Sequence, residues 1–368
     1  MTAMTPTTHI TDVEPLFRPF TLGRVQLRNR LVMAPMQKHR PPECVPGDEL
    51  VEYYRERVRG GIGLVVTQGT TMDHPTTTSP YARLYPPALD GWRRCAEAVR
   101  SEGGEIVMQL WHEGAYRKDG WGPSAVDASG REQGQALSRS QIGEIIEVYR
   151  QSAVTAEALG FAGVELHYGE AYLLGMFLNQ QKNTRDDEYG GDLDGRMRLG
   201  LEIARAIRTS VGPAFLVGVR TTAAREGGLA GTFPTPADLG RFVTAFEQAG
   251  VTHFHGFSGQ FWTPEYPDLD SDLSYSGWIK RLSSVPVITV GSVGLSEPLT
   301  TTIMRETVHH HDNIAELMRR FYRGDFDLVA LGRTVLTDPQ WPTKLREGRF
   351  LEMPAELSWT DVFGGALG

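Results

Sequence analysis

Cysteine is nearly missing from this sequence. The 368 residues hold two, Cys44 and Cys95, far apart and outside any CxxC spacing. A disulfide framework, a zinc site or an iron–sulfur cluster therefore has nothing to be built from, and both thiols read as inert. Runs of eighteen apolar residues are lacking too. The amino-terminal stretch MTAMTPTTHITDVEP has neither a basic start nor an apolar core, so neither a membrane span nor a secretory signal is expected, and the protein reads as cytoplasmic. No basic face exists either: 37 Lys and Arg are scattered among 45 Asp and Glu, for a formal charge of −8. That balance argues against nucleic acid and anionic membrane as partners and leaves a small-molecule ligand, with a homo-oligomer left open.

What is present is a regular alternation. The length fits one large α/β domain or two average ones, and 40% hydrophobic residues suffice for a full core. Residues 1–14 are Thr- and Pro-rich and read as a mobile segment, followed by FRPFTLGRVQLRN, which alternates and turns at Gly23 like a hairpin capping a barrel. Short apolar runs then recur: Arg30–Met36, Gly63–Thr67, Ile106–Leu110, Gly163–Leu166, Phe215–Val219, His253–Phe257, Pro286–Val290 and Leu328–Leu331. Helical stretches with caps or closing glycines separate them, such as DELVEYYRERVRG and TPADLGRFVTAFEQAG. Eight strands alternating with helices, with no linker between them, give a single (β/α)₈ TIM barrel with an N-terminal hairpin, occupying residues 15–368.

In such a barrel, polar and glycine residues should gather just past the carboxyl ends of the strands. They read Pro35-Met36-Gln37, Gln68-Gly69, Gln109 with Trp111, His167 with Glu170 and Tyr172, Arg220, Ser258-Gly259, Gly291-Ser292 and Gly332-Arg333. The last two pairs are glycine turns with one arginine, a phosphate cradle where barrels usually hold one. His167, Glu170 and Tyr172 can each donate, accept or transfer a proton. The long loops from Trp111 to Ser138 and Ser258 to Tyr275 read as walls of the site, with Trp111, Tyr168, Phe261 and Trp262 as its flat surfaces. His309, His310 and His311 read as a solvated helix start, since three consecutive residues do not converge on one metal ion.

The ordered set LRNRLVMAPM, YYRERVRGGIGLVVTQGT, QLWHEG, GFAGVELHYGEAYLL, NTRDDEYGGDLDGR, VGVR, ITVGSV and LVALGR resembles the old yellow enzyme family of FMN-dependent oxidoreductases, from about Leu16 to Gly348. Within it the chain looks most like bacterial proteins similar to 12-oxophytodienoate reductase. The resemblance implies FMN as cofactor and NADH or NADPH as hydride donor. It places Pro35, Met36, Gln37 and Gly69 beside the isoalloxazine, Gln109 and Arg220 at its pyrimidine edge, His167 near the flavin as donor to a substrate carbonyl, and Gly291, Ser292, Gly332 and Arg333 at the phosphate. Tyr172 is implied as the proton donor; Trp111, Tyr168 and Trp262, as walls of the site, and His39, close to Gln37, read as substrate contacts. NTRDDEYGGDLDGR, with Arg185, Asp187 and Gly190-Gly191, is expected to fix the loop after strand four.

Three positions depart from the family pattern. Glu170 stands where a second neutral donor, His or Asn, is usual, Tyr168 replaces a small residue, and Gln37 replaces Cys or Thr. An ionised Glu170 would repel an enolate unless an apolar pocket kept it protonated. Two catalytic readings stand: reduction of a conjugated carbonyl compound at its β-carbon, and oxidative dehydrogenation, demethylation or desaturation of an amine or carbon acid held by Glu170. A flavin-binding protein without turnover is the non-catalytic alternative, against which His167 and Tyr172 argue.

Overall fold

Eight short runs alternate inward and outward side chains and pair in parallel to close a ring. The computed structural model describes residues 12–37, 40–77, 79–116, 120–223, 232–298, 307–352 and 356–358. The ring is built from β1 (Leu31–Met33), β2 (Leu64–Val66), β3 (Glu105–Trp111), β4 (Gly163–Tyr168), β5 (Leu216–Thr222), β6 (His253–Phe257), β7 (Val287–Val290) and β8 (Leu328–Leu331). Each strand pairs with the next, and β8 pairs with β1. A helix of the outer ring follows each strand: α1 (Asp48–Arg59), α2 (Leu89–Ser101), α3 (Arg139–Ala158), α4 (Leu193–Ser210), α5 (Pro236–Gln248), α6 (Tyr275–Leu282), α7 (Ile314–Arg323) and α8 (Trp341–Arg346), with further short helices at Leu173–Leu178 after β4 and Arg333–Thr337 after β8. The fold is the (β/α)₈ barrel that the alternation of apolar runs and helices implies.

Local chemistry sets the helix ends. Ser138 accepts from the Gln141 amide while the Gln141 side chain accepts from the Ser138 amide, a capping box that starts α3. Thr235 caps α5 ahead of Pro236, and Gly324, with φ +86°, closes α7. Buried Arg57, in the last turn of α1, donates to the carbonyls of Val335 and Leu336 and lies 3.8 Å from the Tyr53 ring centroid. That arginine links the first helix to the segment after the last strand.

Strand parity divides the core in two. Met33, Val65, Met108, Val164, Leu166, Val219, Phe254 and Val329 face the helices in the larger cluster. Val32, Leu64, Val107, Leu216, Ile288 and Leu328 face inward in the smaller one. The hairpin, strands Phe20–Leu22 and Val25–Leu27 joined at Gly23 with φ +57°, adds fully buried Leu22 and Leu27 to the inner cluster. It therefore closes the amino-terminal mouth, as its position before the first strand leads one to expect, and among the described residues leaves the opposite mouth as the way in along the barrel axis.

Two expectations need comment. Of the segment 1–14, residues 1–11 lie outside the described residues, whereas Val13 is buried and Glu14 pairs with Arg346 at 2.7 Å. His309 to His311 do not start a helix: Thr307–His309 is a strand paired with Glu356–Ser358, and α7 begins only at Ile314. Neighbouring β-branched residues and the bridge from Leu295 to His310 draw that stretch into extended backbone. Among the described residues no cluster of His, Cys, Asp and Glu could hold a metal ion, and no helix is long and apolar enough to cross a membrane.

The plug can be tested by truncation. Leu27→Ala removes a side chain buried against the inner cluster and should cost about 2–5 kcal/mol, read as a lower urea midpoint. An unchanged midpoint would mean that the hairpin does not seal the barrel.

Candidate active site

At the carboxyl-terminal mouth the strand ends surround a cavity of about 1040 Å³, counted with its open mouth. Fourteen of the residues singled out from the sequence line it: Pro35, Met36, Gln37, Gly69, Gln109, Trp111, His167, Tyr172, Arg220, Gly259, Gly291, Ser292, Gly332 and Arg333. They come from all eight strand ends, which only a closed ring can bring together.

Register organises the polar side. Glu165 on β4 lies opposite Gln109 on β3, and His167 lies opposite Arg220 on β5. Gln109 Nε2 donates to Glu165 Oε1 at 2.8 Å, and His255 Nδ1 on β6 lies 2.8 Å from Glu165 Oε2. All three side chains are buried. Burial opposes the Glu165 charge, but His255 and Arg220 outweigh it and hold the carboxyl at about 2. Burial likewise pulls Arg220 down, while Glu165 and Tyr172 oppose the drop. Desolvation and the Arg220 charge hold His167 well below its ordinary value, so its imidazole is neutral at neutral pH.

Above this layer three rings converge. The Tyr172 ring centroid lies 4.9 Å from that of His167 and 5.1 Å from Trp111, edge-on to the latter. Tyr172 stands just before the short helix Leu173–Leu178, its amide donating to the Gly169 carbonyl. A Cβ at Gly169 would approach Tyr172 Cδ2 to 2.4 Å, so that tyrosine can lie here only because residue 169 has no side chain.

Across the ring, β7 and β8 supply the second polar group. Arg333 Nη2 donates to Ser292 Oγ at 3.0 Å and to the Glu297 carbonyl at 2.9 Å, which fixes the guanidinium beside Gly291 and Gly332. Burial lowers its pKa to about 10, so it remains a cation. Ser292 adopts φ +49°, a left-handed conformation that a non-glycine residue keeps only where surroundings enforce it.

Several expected residues are elsewhere. Tyr168 is on the outward parity of β4, packed between Phe242 and Phe246 at 5.9 and 5.7 Å, and touches no part of the cavity. Trp262 packs against the outer core, with its carbonyl taken by Arg320, and does not line the cavity. Glu170 turns toward Lys182: Lys182 Nζ lies 3.9 Å from Glu170 Oε1 and donates to the Glu170 carbonyl. Burial raises the Glu170 pKa and Lys182 counters it, with the side chain 32% exposed. It is not a wall of the cavity. His39 lies outside the described residues. Arg185 does brace the loop after β4, bonding Asp187 twice and the carbonyls of Pro123 and Leu137.

Sequence reasoning passed over Glu165, His253, His255 and Phe257, all on inward positions. The signal was available: Glu165 shares parity with His167, and His253 and His255 share it with the cavity-lining Phe257.

FMN fits what is there. Buried Arg220 Nε, His167 Nδ1 and Gln37 Oε1 have no hydrogen-bond partner among the described residues, and buried polar atoms of this kind are made for a ligand. A Cβ at Gly69 would come within 3.0 Å of Gln37 Nε2 and 3.2 Å of Trp111 Cε3, so the wall is kept free for a flat group. The polar set on β3 to β5 and the cationic set on β7 and β8 suit a ring with a hydrogen-bonding edge and a phosphate tail. Gln37 Nε2 donates to the Gly69 carbonyl at 3.0 Å, which fixes the side chain with its buried Oε1 unpartnered among the described residues.

Comparison with known proteins agrees. The model of the NADH:flavin oxidoreductase / NADH oxidase family matches residues 15–352. An NADH oxidase of Thermoanaerobacter brockii is 33% identical over 365 residues, covering 92% of this chain and 52% of that protein. 12-Oxophytodienoate reductase 7 of Oryza sativa is 35% identical over 221 residues, 54% of this chain and 56% of that one. The chain thus spans about half the length of these curated relatives. The structure of morphinone reductase superposes with a TM-score of 0.77 at 26% identity, covering 96% of this chain and 94% of the other.

The buried histidines make stability depend on pH. His112, which bonds the Thr76 hydroxyl at 2.8 Å, is lowered to about 3 by desolvation, and His253 to about 4 by the same cause. Between those values and 6.5 the unfolded chain binds protons that the native chain does not, so stability rises with pH across this window and is lost as pH falls. At pH 5 each should cost on the order of 2 kcal/mol relative to pH 7. Urea midpoints at pH 7 and pH 5 measure it; equal midpoints would mean that both rings are solvated.

Proposed function

Because the chain belongs to the NADH:flavin oxidoreductase / NADH oxidase family, the old yellow enzyme family with FMN as cofactor, we propose that it reduces conjugated carbonyl compounds. The same reading takes residues 15–368 as one FMN-binding barrel. Bound FMN supplies the two-electron step, by which NADH or NADPH is oxidised and the substrate's β-carbon gains a hydride equivalent. Arg220 and Gln109 would hold the pyrimidine edge, Arg333, Ser292 and the Gly291 and Gly332 backbone the phosphate, and Pro35, Met36, Gln37 and Gly69 the ring system.

The chain's own residues supply the rest. His167, neutral and lining the cavity, would donate to the substrate carbonyl oxygen, where negative charge grows as the β-carbon is reduced. Tyr172, beside it, would give its hydroxyl proton to the α-carbon and recover one from solvent, so the product gains one hydride and one proton overall. Trp111 packs edge-on against the Tyr172 ring. The observation that carries this reading is the convergence of a neutral imidazole and a phenol over one cavity with Arg220 and Gln109 in its wall.

The oxidative alternative requires the Glu170 carboxylate to hold an amine or carbon acid. Its engagement with Lys182 takes that support away, and with it the objection that an ionised carboxylate would repel the developing enolate. What remains is one donor fewer than the family usually has.

Rapid mixing separates the roles. Tyr172→Phe should slow reoxidation of the reduced enzyme by cyclohexenone on the order of a hundredfold or more while leaving reduction by NADH or NADPH within about twofold. Glu170→Gln should change either half-reaction by less than about threefold. Equal losses in both half-reactions for Tyr172→Phe would remove it as proton donor, and a collapse of enone reduction in Glu170→Gln would return Glu170 to the chemistry.

A further inference from the structure

We infer that Glu165 is a positioning residue: it fixes which end of the Gln109 amide meets the flavin and offsets the Arg220 charge on the same side of the cavity. This rests on the placement of the pyrimidine edge at Gln109 and Arg220 proposed above.

A carboxylate inside a barrel is costly. Inward positions of β1, β2, β7 and β8 hold Val32, Leu64, Ile288 and Leu328, so the barrel interior does not call for a carboxylate as such. Glu165 is instead completely buried, and both its oxygens are used: Gln109 Nε2 at 2.8 Å and His255 Nδ1 at 2.8 Å. Neither partner is a Lys or Arg, so the pairing is a poor device for stability and a good one for orientation.

The orientation follows from the donor inventory. An ionised carboxylate only accepts, so Gln109 must present its nitrogen to Glu165. Turning the amide over would set two acceptor oxygens at 2.8 Å and leave the nitrogen without its bond, which costs more than either hydrogen bond is worth. Gln109 therefore keeps its carbonyl oxygen for the cavity, an acceptor for an N–H such as that at flavin N3. His255 maintains the arrangement, since its Nδ1–H is the donor that keeps Glu165 ionised, and Gly218 makes room: a Cβ there would come within 2.4 Å of the neighbouring His253 Nε2.

The second effect is charge. Arg220 on β5 and Glu165 on β4 act on each other inside the barrel, where little solvent screens them. With Glu165 ionised the pair sums to zero. With a neutral residue at 165, the Arg220 charge faces the flavin alone and favours the electron-rich reduced cofactor.

Three FMN-loaded proteins decide it: wild type, Glu165→Gln and Glu165→Asp. Wild type should bind FMN at least tenfold more tightly than N3-methyl-FMN. In Glu165→Gln, whose amide donates as well as accepts, that ratio should fall toward one, and the reduction equilibrium should shift at least tenfold toward the reduced form, about 30 mV for two electrons. Glu165→Asp keeps the charge but is too short to reach Gln109, so its potential should stay near wild type while the ratio falls. A purely structural role would weaken both flavins alike, keep their ratio and leave the potential in place. If wild type fails to discriminate, the placement of the pyrimidine edge is wrong and the inference falls with it. If wild type discriminates and Glu165→Gln shows neither change, Glu165 has no positioning role. Should Glu165→Gln not accumulate as folded protein, an undiminished ratio in Glu165→Asp overturns the inference by itself.

Discussion

The register between β4 and its two neighbours is the constraint from which the site follows. Pairing Glu165 with Gln109 on one side and His167 with Arg220 on the other sets four chemically active side chains at two adjacent levels of one inner wall. A slip of one residue in either pairing would turn alternate side chains to the helices and empty that wall. The closed ring makes such a slip expensive, because every strand is held from both sides and there is no free edge along which to shift.

The inner surface is divided as sharply as the fold allows. Strands β7, β8, β1 and β2 contribute aliphatic side chains, joined from below by Leu22 and Leu27 of the hairpin. Strands β3 to β6 contribute Gln109, Glu165, His167, Arg220, His253 and His255. The aliphatic half provides the burial that stabilises the barrel, and the polar half is tolerable because its members satisfy one another or face the cavity. Desolvation acts on both ionic groups, yet the carboxyl ends at about 2 and the two imidazoles beside it are held low. The result is one anion, one cation and an uncharged His167, which can donate without carrying charge of its own.

How much of this could be read from the chain depends on which physical rule governs each residue. Eight strands, their helices, the plugging hairpin and most of the cavity wall were legible, because apolar runs, caps and glycine turns are local signals, and the barrel rule then converts strand ends into a site. Tyr168 was misplaced by treating every residue at a strand end as available, although it directly follows His167 and so has the opposite parity. Glu165 was overlooked for the mirror-image reason: the run was read for its apolar residues, when the parity that Glu165 shares with His167 marks it as inward. Glu170 could not be read at all, since it lies past the strand and its direction depends on Lys182, twelve residues further on. Trp262 lies on a long loop, where neither parity nor helical period says which way a side chain turns.

That contrast bears on how the site tolerates change. His167 is held by strand backbone, by its place opposite Arg220 and by the Tyr172 ring that Gly169 admits. Each of those restraints would cost the fold something to give up. Glu170 answers to a single half-exposed lysine, an interaction worth a fraction of a kcal/mol to about 1 kcal/mol. A residue so weakly bound to its surroundings can be exchanged with little effect on the barrel, whereas Glu165 cannot, because removing it would leave Gln109 and His255 without their buried acceptor. The departure from the family pattern at Glu170 therefore falls where the structure is weakly committed, and the proposed chemistry stays with the strand that holds His167.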